Sequence, residues 1–273
     1  MRTSLMDGTA NHLIELYLTH IAGRAFSEFT IRRRRGSLAR FAAFIHPTPL
    51  VLADGAIIEE WLQQFGAART KHAYRSDLAA FYSWGVRRHI LDSSPVNDTD
   101  PIRVPKGTPR PVPPAQVRLV INCATDDTLR LALALAAYAG LRRSEITHLS
   151  TDDISLATDP PQLVVRNGKG GKDRIVPVHP SLAVLLAACR QGRVVPWTAD
   201  SLGRRASAHI RACGFNNTIH NLRASFGTEL SRVTKGNVML VKELMGHASA
   251  ETTTLYIGLA GIVGASSVQT LYA

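Results

Sequence analysis

The stretch SSPVNDTDPIRVPKGTPRPVPP, residues 93–114, holds seven of the chain's 14 prolines amid turn-forming residues. Proline fixes φ and brings no amide donor, so neither a helix interior nor a central strand runs through such a segment. The chain must therefore fold in two parts, one on each side of it. Its 273 residues suffice for two domains of ordinary size, each with its own core. The segment is also basic, which suits it to lie along a phosphate backbone.

Before the boundary, the sequence predicts helices over 11–23, 29–45, 56–66 and 69–91. In the last, Tyr74, Leu78, Phe81 and Tyr82 recur at helical spacing, while Lys71, Arg75, Arg87 and Arg88 supply a basic surface. A small helical bundle with a charged exterior is expected. The run IRRRRG at 31–36 is the densest local charge. It reads either as a solvated helix face or arm, or as a set of phosphate contacts, and charge alone leaves both open. Over the whole chain, 32 Lys and Arg face 21 Asp and Glu, a net charge of +11 that favours a polyanionic partner, nucleic acid first.

After the boundary, helices are expected over 114–124 and 127–139. Leucines at 129, 131, 133 and 135 have the period of a strand, but the alanines among and after them favour helix. The β-branched runs QLVVRN (162–167) and DRIVPV (173–178) flank GKGGK, a hairpin signal. Helices follow over 180–191, 198–213, 218–232, 236–245 and 250–258. The expected fold is mainly α with a small β-sheet: an all-α N-terminal bundle followed by an α+β domain. The longest apolar stretch, Leu131 to Leu141, is too short to cross a bilayer, and the N-terminus has no signal-peptide pattern, so an intracellular protein is expected. Cys123, Cys189 and Cys213 form no Cys-x-x-Cys pair, and no His-Glu-x-x-His spacing occurs. Neither a disulfide framework, a zinc knuckle nor a metal-dependent nuclease is supported.

Five features of the second part stand out. AGLRRSE places Arg142 and Glu145 one helical turn apart; GKGGK carries Lys169 and Lys172; HNLR puts His220 and Arg223 on one helical face; a Gly-His pair supplies His247; and Tyr256 follows. Each has an ordinary reading, such as a surface ion pair for Arg142 and Glu145 or a solvated hairpin-tip lysine.

Together, in order and spacing, they resemble the catalytic domain of the tyrosine recombinase family, which includes phage integrases and chromosome-dimer resolvases. The resemblance extends over nearly the whole chain, because the helical first part is similar to that family's core-binding domain. It implies a core-DNA-binding domain over 1–92, a linker over 93–114, a catalytic domain over 115–260 and a C-terminal tail over 261–273. It also implies a mechanism. Tyr256 attacks a DNA phosphodiester, forming a covalent 3′-phosphotyrosine and freeing a 5′-hydroxyl, with no metal or other cofactor. Arg142 and Arg223 grip the non-bridging oxygens. Lys169 protonates the leaving oxygen, with Lys172 the alternative on the same loop; His220 assists proton transfer from the tyrosine; His247 donates to the phosphate; Glu145 holds neighbouring groups. Arg32, Arg33, Arg34, Arg35, Lys71, Arg75 and Lys172 are the expected DNA contacts.

The implied partner is double-stranded DNA at core-type recombination sites, bound by a homotetramer on two duplexes, in the cytoplasm of a bacterial host at the nucleoid and without membrane attachment. With a first helix expected near Asn11, a compact form without an additional arm-binding domain is expected. The tail reads as packing on a neighbouring subunit, as a frayed end, or as a degradation signal. Ala224 and Ser225 after HNLR, and MGH in place of the frequent Leu-Gly-His, depart from the commonest pattern. Charge and helices alone also fit a non-catalytic DNA-binding regulator, and the nucleophile alone a type IB topoisomerase-like enzyme.

Overall fold

The computed structural model describes residues 10–105, 107–166, 173–246 and 253–254. The chain divides into two compact units, Met1–Lys106 and Gly107–Ala273.

The first unit is built from α1 (Ala10–Ala22), α2 (Glu28–Ile45), α3 (Gly55–Gln63) and α4 (Ala68–Arg87). Ser27 caps α2 by accepting from the Thr30 amide, and Asp54 caps α3 by accepting from that of Ile57. Each cap satisfies an amide that the helix itself cannot. Leu13, Tyr17, Leu38, Phe41, Trp61, Leu78, Phe81 and Tyr82 form the centre of the core, where Tyr17 meets Phe81 edge-on with ring centroids 5.5 Å apart. The sequence reading carries α4 to residue 91, but the helix stops at Arg87. His89 takes a left-handed φ of 56°, and the Ile90 amide turns back to the Gly85 carbonyl at 2.9 Å, closing the helix end as a Schellman turn does.

The second unit contains α5 (Pro114–Asn122), α6 (Asp127–Tyr138), α7 (Arg143–His148), β1 (Ile154–Ser155), β2 (Gln162–Val165), β3 (Arg174–Pro177), α8 (Pro180–Ala187), α9 (Ala199–Ala212), α10 (Ile219–Val233) and α11 (Val238–Met245). Helix α6 is the hub, packed by α5, α7, α8, α9 and α10. Its residues Leu131 to Ala137 are all buried. A helix enclosed on every side needs apolar residues all round, which explains why its leucines mimic a strand's period. The three strands form an antiparallel sheet in the order β1-β2-β3. Leu163 pairs with Val176 and Val165 with Arg174, so Arg174 and Val176 occupy the buried face of β3 while Ile175 and Pro177 face outward. The six-residue α7 and two-residue β1 are absent from the sequence reading because neither is long enough to show a period.

The proline-crowded segment is anchored at both ends. Pro95–Asp98 forms a 3₁₀ turn whose Val96 joins the first core. Val112 joins the second, where its amide donates to Ser225 Oγ at 2.7 Å and its carbonyl accepts from that hydroxyl at 3.0 Å. Asn221 Nδ2 holds the Arg110 carbonyl at 2.8 Å. Among the described residues, no helix is long and apolar enough to cross a membrane.

Candidate active site

Arg142 follows directly from the turn that ends α6. Gly140 makes that turn with φ 63°, and a Cβ there would overlap the Phe226 ring, so only glycine serves. Arg142 then becomes the N-cap of α7, and its amide donates to Glu145 Oε2 at 2.7 Å. Its Nη1 donates to Glu145 Oε1 at 2.6 Å. The side chain of Glu145 is only 5 % exposed, so the pair is not the surface ion pair that its spacing alone suggests.

Arg223 comes from α10, which packs along α6. At 2 % exposure it is among the most buried residues of the chain. It donates to the Gly140 carbonyl and, at 2.5 Å, to that of Met245; its Nη1 lies 3.8 Å from Glu145 Oε2. A third guanidinium, that of Arg174, forks onto both oxygens of Glu145 at 3.0 and 2.8 Å.

The end of α11 draws these groups together. Leu244 O accepts from Arg174 Nε at 3.0 Å, Met245 O from Arg223, and Gly246 O from Arg142 Nη2 at 2.6 Å. Three successive carbonyls at a helix C-terminus, where partial negative charge gathers, are thus held by three arginines from three different elements. Gly246 is left-handed, with φ 60°, and turns the chain toward residue 247.

Electrostatics follow from this packing. Burial alone would raise the Glu145 carboxyl, but the Arg174 fork and then the Arg142 amide and guanidinium outweigh it and hold the group at about 2. Among the described residues here, one carboxylate faces three guanidiniums, an excess of positive charge suited to an anion. His220 sits at the edge of the cluster. Partial desolvation of its ring, then the charges of Arg223 and Arg142, lower its pKa. It is consequently neutral near pH 7 and able to accept a proton.

The structure therefore brings Arg142, Glu145, Arg223 and His220 into one locality. Lys169, Lys172, His247 and Tyr256 lie outside the described residues. Arg174 is the residue that sequence reasoning missed. Its signal was the alternation of RIVPV, which puts an arginine in phase with the inward Val176 and Val178.

The basic residues of the first unit divide in use. Arg33 pairs with the buried Asp77 at 2.7 Å, and Ser37 Oγ donates to the same carboxylate at 2.7 Å. Arg34 donates to the Tyr17 hydroxyl at 2.6 Å, and Arg35 pairs with Glu15. Arg75 is turned onto Thr99 Oγ1 at 2.8 Å and the carbonyls of Val96 and Thr99 at 3.1 and 3.0 Å. Arg32 is exposed and Lys71 half-buried.

Residues 114–260 match the model of the phage integrase family. A tyrosine recombinase of Pseudothermotoga lettingae is 27% identical over 264 residues, covering 88% of this chain and 90% of the relative. Tyrosine recombinase XerA of Pyrococcus horikoshii is 30% identical over 185 residues, covering 61% of this chain and 62% of the relative. Among solved structures, a lambda integrase tetramer bound to a Holliday junction superposes with a TM-score of 0.75 at 17% identity, over 91% of this chain and 77% of that one.

Proposed function

Because the chain belongs to the phage integrase family and is a site-specific recombinase, we propose that it integrates phage or mobile-element DNA by cleaving and rejoining strands through a 3′-phosphotyrosine on Tyr256. The observation that carries this reading is the convergence of Arg142 and Arg223 on the adjacent carbonyls of Gly246 and Met245. Two permanent cations from distant elements meet at the glycine of the Gly-His pair and the residue before it, Gly246 lying ten residues ahead of the tyrosine.

In the proposed step, Tyr256 Oη bonds to phosphorus as the bond from phosphorus to the 5′-oxygen breaks. The phenolic proton passes to neutral His220, and Lys169 gives a proton to the departing oxygen, with Lys172 the alternative donor. Arg142 and Arg223 take the charge that builds on the non-bridging oxygens, and His247 adds a hydrogen bond. Attack by the 5′-hydroxyl of another strand reverses each transfer and restores a phosphodiester. No metal or nucleotide takes part.

The domain assignment at 1–92, 93–114, 115–260 and 261–273 belongs to the same reading, with Arg32, Arg35 and Lys71 facing DNA, while Arg33, Arg34 and Arg75 are held by Asp77, Tyr17 and Thr99 within the first unit. So does a homotetramer on two duplexes carrying core-type sites, an arrangement that the lambda integrase tetramer on its junction supports by likeness of fold. The setting is the bacterial cytoplasm, at the nucleoid.

The test is a nicked duplex whose leaving strand diffuses away after cleavage. Wild-type protein should accumulate a denaturation-resistant DNA adduct, and Tyr256→Phe should give none. No adduct from the wild type, or an adduct that survives Tyr256→Phe, overturns the proposal.

A further inference from the structure

Arg174 stands on the buried face of β3 with its side chain 7 % exposed. An arginine is tolerated there only if its partners are fixed. All three nitrogens of its guanidinium have one: Nη1 and Nη2 hold the two oxygens of Glu145, and Nε holds the Leu244 carbonyl at 3.0 Å. The carboxylate so oriented receives Arg142, and the carbonyl so held immediately precedes those that bind Arg223 and Arg142. Gly246 lies against the same guanidinium, for a Cβ at that position would come within 2.8 Å of Arg174 Nη1.

We propose that Arg174 is a positioning residue for strand cleavage: through Glu145 it sets the Arg142 guanidinium, and through Leu244 it sets the turn from which His247 emerges. It touches no DNA. It also ties the strand that leaves the Lys169 hairpin to the end of α11, so that one side chain aligns both approaches to the phosphate. This rests on the reading of the chain as a Tyr256-dependent recombinase.

A residue that merely stabilised the fold would change melting and leave the pH dependence of cleavage alone. Arg174 should change that dependence. Glu145 faces Arg142, Arg174 and Arg223, with His148 on its own helix and Asp153 and Arg166 across the neighbouring cavity. With Arg174 in place its carboxyl, held at about 2, is ionised wherever the enzyme works. Removing Arg174 takes away the strongest of the influences that oppose burial, so the carboxyl moves upward toward the range where cleavage is measured.

The experiment measures single-turnover cleavage of the nicked duplex at saturating DNA, from about pH 5 to 9. It uses wild type, Arg174→Lys, Arg174→Met, and each variant combined with Glu145→Gln, with melting and DNA affinity recorded in parallel. Expected are DNA affinities within about twofold of wild type and cleavage slowed by on the order of 10²-fold, the effect of a small misplacement of the reacting groups. A new acid limb should appear in Arg174→Met and vanish when Glu145→Gln is added. Arg174→Lys keeps the charge and loses the fork, so it should slow cleavage with little change in the pH profile, and it carries the rate part of the test should Arg174→Met not fold. Folded variants that cleave at the wild-type rate or lose only affinity, or an Arg174→Met protein that slows with an unchanged pH profile, overturn the proposal. Failure of the Tyr256→Phe control would instead strike the recombinase reading.

Discussion

At the scale of single residues, Glu145 is the pivot of the site, because three guanidiniums approach one buried carboxylate. Removing one member of such a buried set leaves the others uncompensated, so Glu145→Gln should destabilise the protein by about 3–5 kcal/mol in urea titrations at neutral pH. The pH dependence has a definite sign. The folded carboxyl is held at about 2, below its ordinary value of 4.5. The stability it contributes is therefore complete above 4.5 and is lost as pH falls toward 2, by on the order of 3 kcal/mol. Urea titrations across that range should show the loss in wild type and its absence in Glu145→Gln. His220 is displaced downward from 6.5 by desolvation and by the two arginines, so the fall in cleavage due to its protonation should have its midpoint below that pH. A midpoint above it in the pH–rate profile would exclude His220 as the proton acceptor. The motif residues that the structure assembles were legible in the sequence, since each lies in a recognisable local string. Arg174 was not, because nothing in RIVPV announces that its partner is a glutamate on a separate helix.

At the scale of elements, length decided what could be read from the chain. Helices such as α2, α4 and α9 run for 18, 20 and 14 residues and show their period plainly. Their ends were harder, since the stop of α4 depends on the left-handed backbone of His89, a residue with no helix-breaking signature of its own. Helix α6 was ambiguous for the opposite reason, its burial on every side erasing the amphipathic stripe. The grip of α10 on the chain ahead of α5 lay beyond sequence reasoning, because Ser225 and Val112 are joined only by the fold. Ser225→Ala strands a buried amide and a buried carbonyl together. It should cost about 1–3 kcal/mol in urea unfolding, against a few tenths for Ser207→Ala on the half-buried face of α9.

At the scale of the whole molecule, the division into two cores and the excess of basic residues were both visible in composition. What composition hid was how much of that charge the fold uses internally: Arg33, Arg34 and Arg75 make contacts within the first unit. The net charge of +11 nevertheless makes counterion release the main source of DNA affinity in the proposed function. For 6–10 phosphate contacts, affinity should fall about 10³- to 10⁵-fold between 50 and 200 mM salt in filter-binding or anisotropy titrations, and a flat response would refute a phosphate-dominated interface. The anchored ends of the proline-crowded segment set a leash between the units. Arg75 fixes one end at Thr99 and Asn221 the other at Arg110, and eleven residue steps span at most about 40 Å. In the proposed function, where both halves bind DNA, a tether that short, little longer than one turn of duplex, would keep their contacts to one short stretch of it. On that reading, once either half has landed, the other would search a small volume at high effective concentration, and lengthening the leash by insertion should dilute that advantage without altering a single contact.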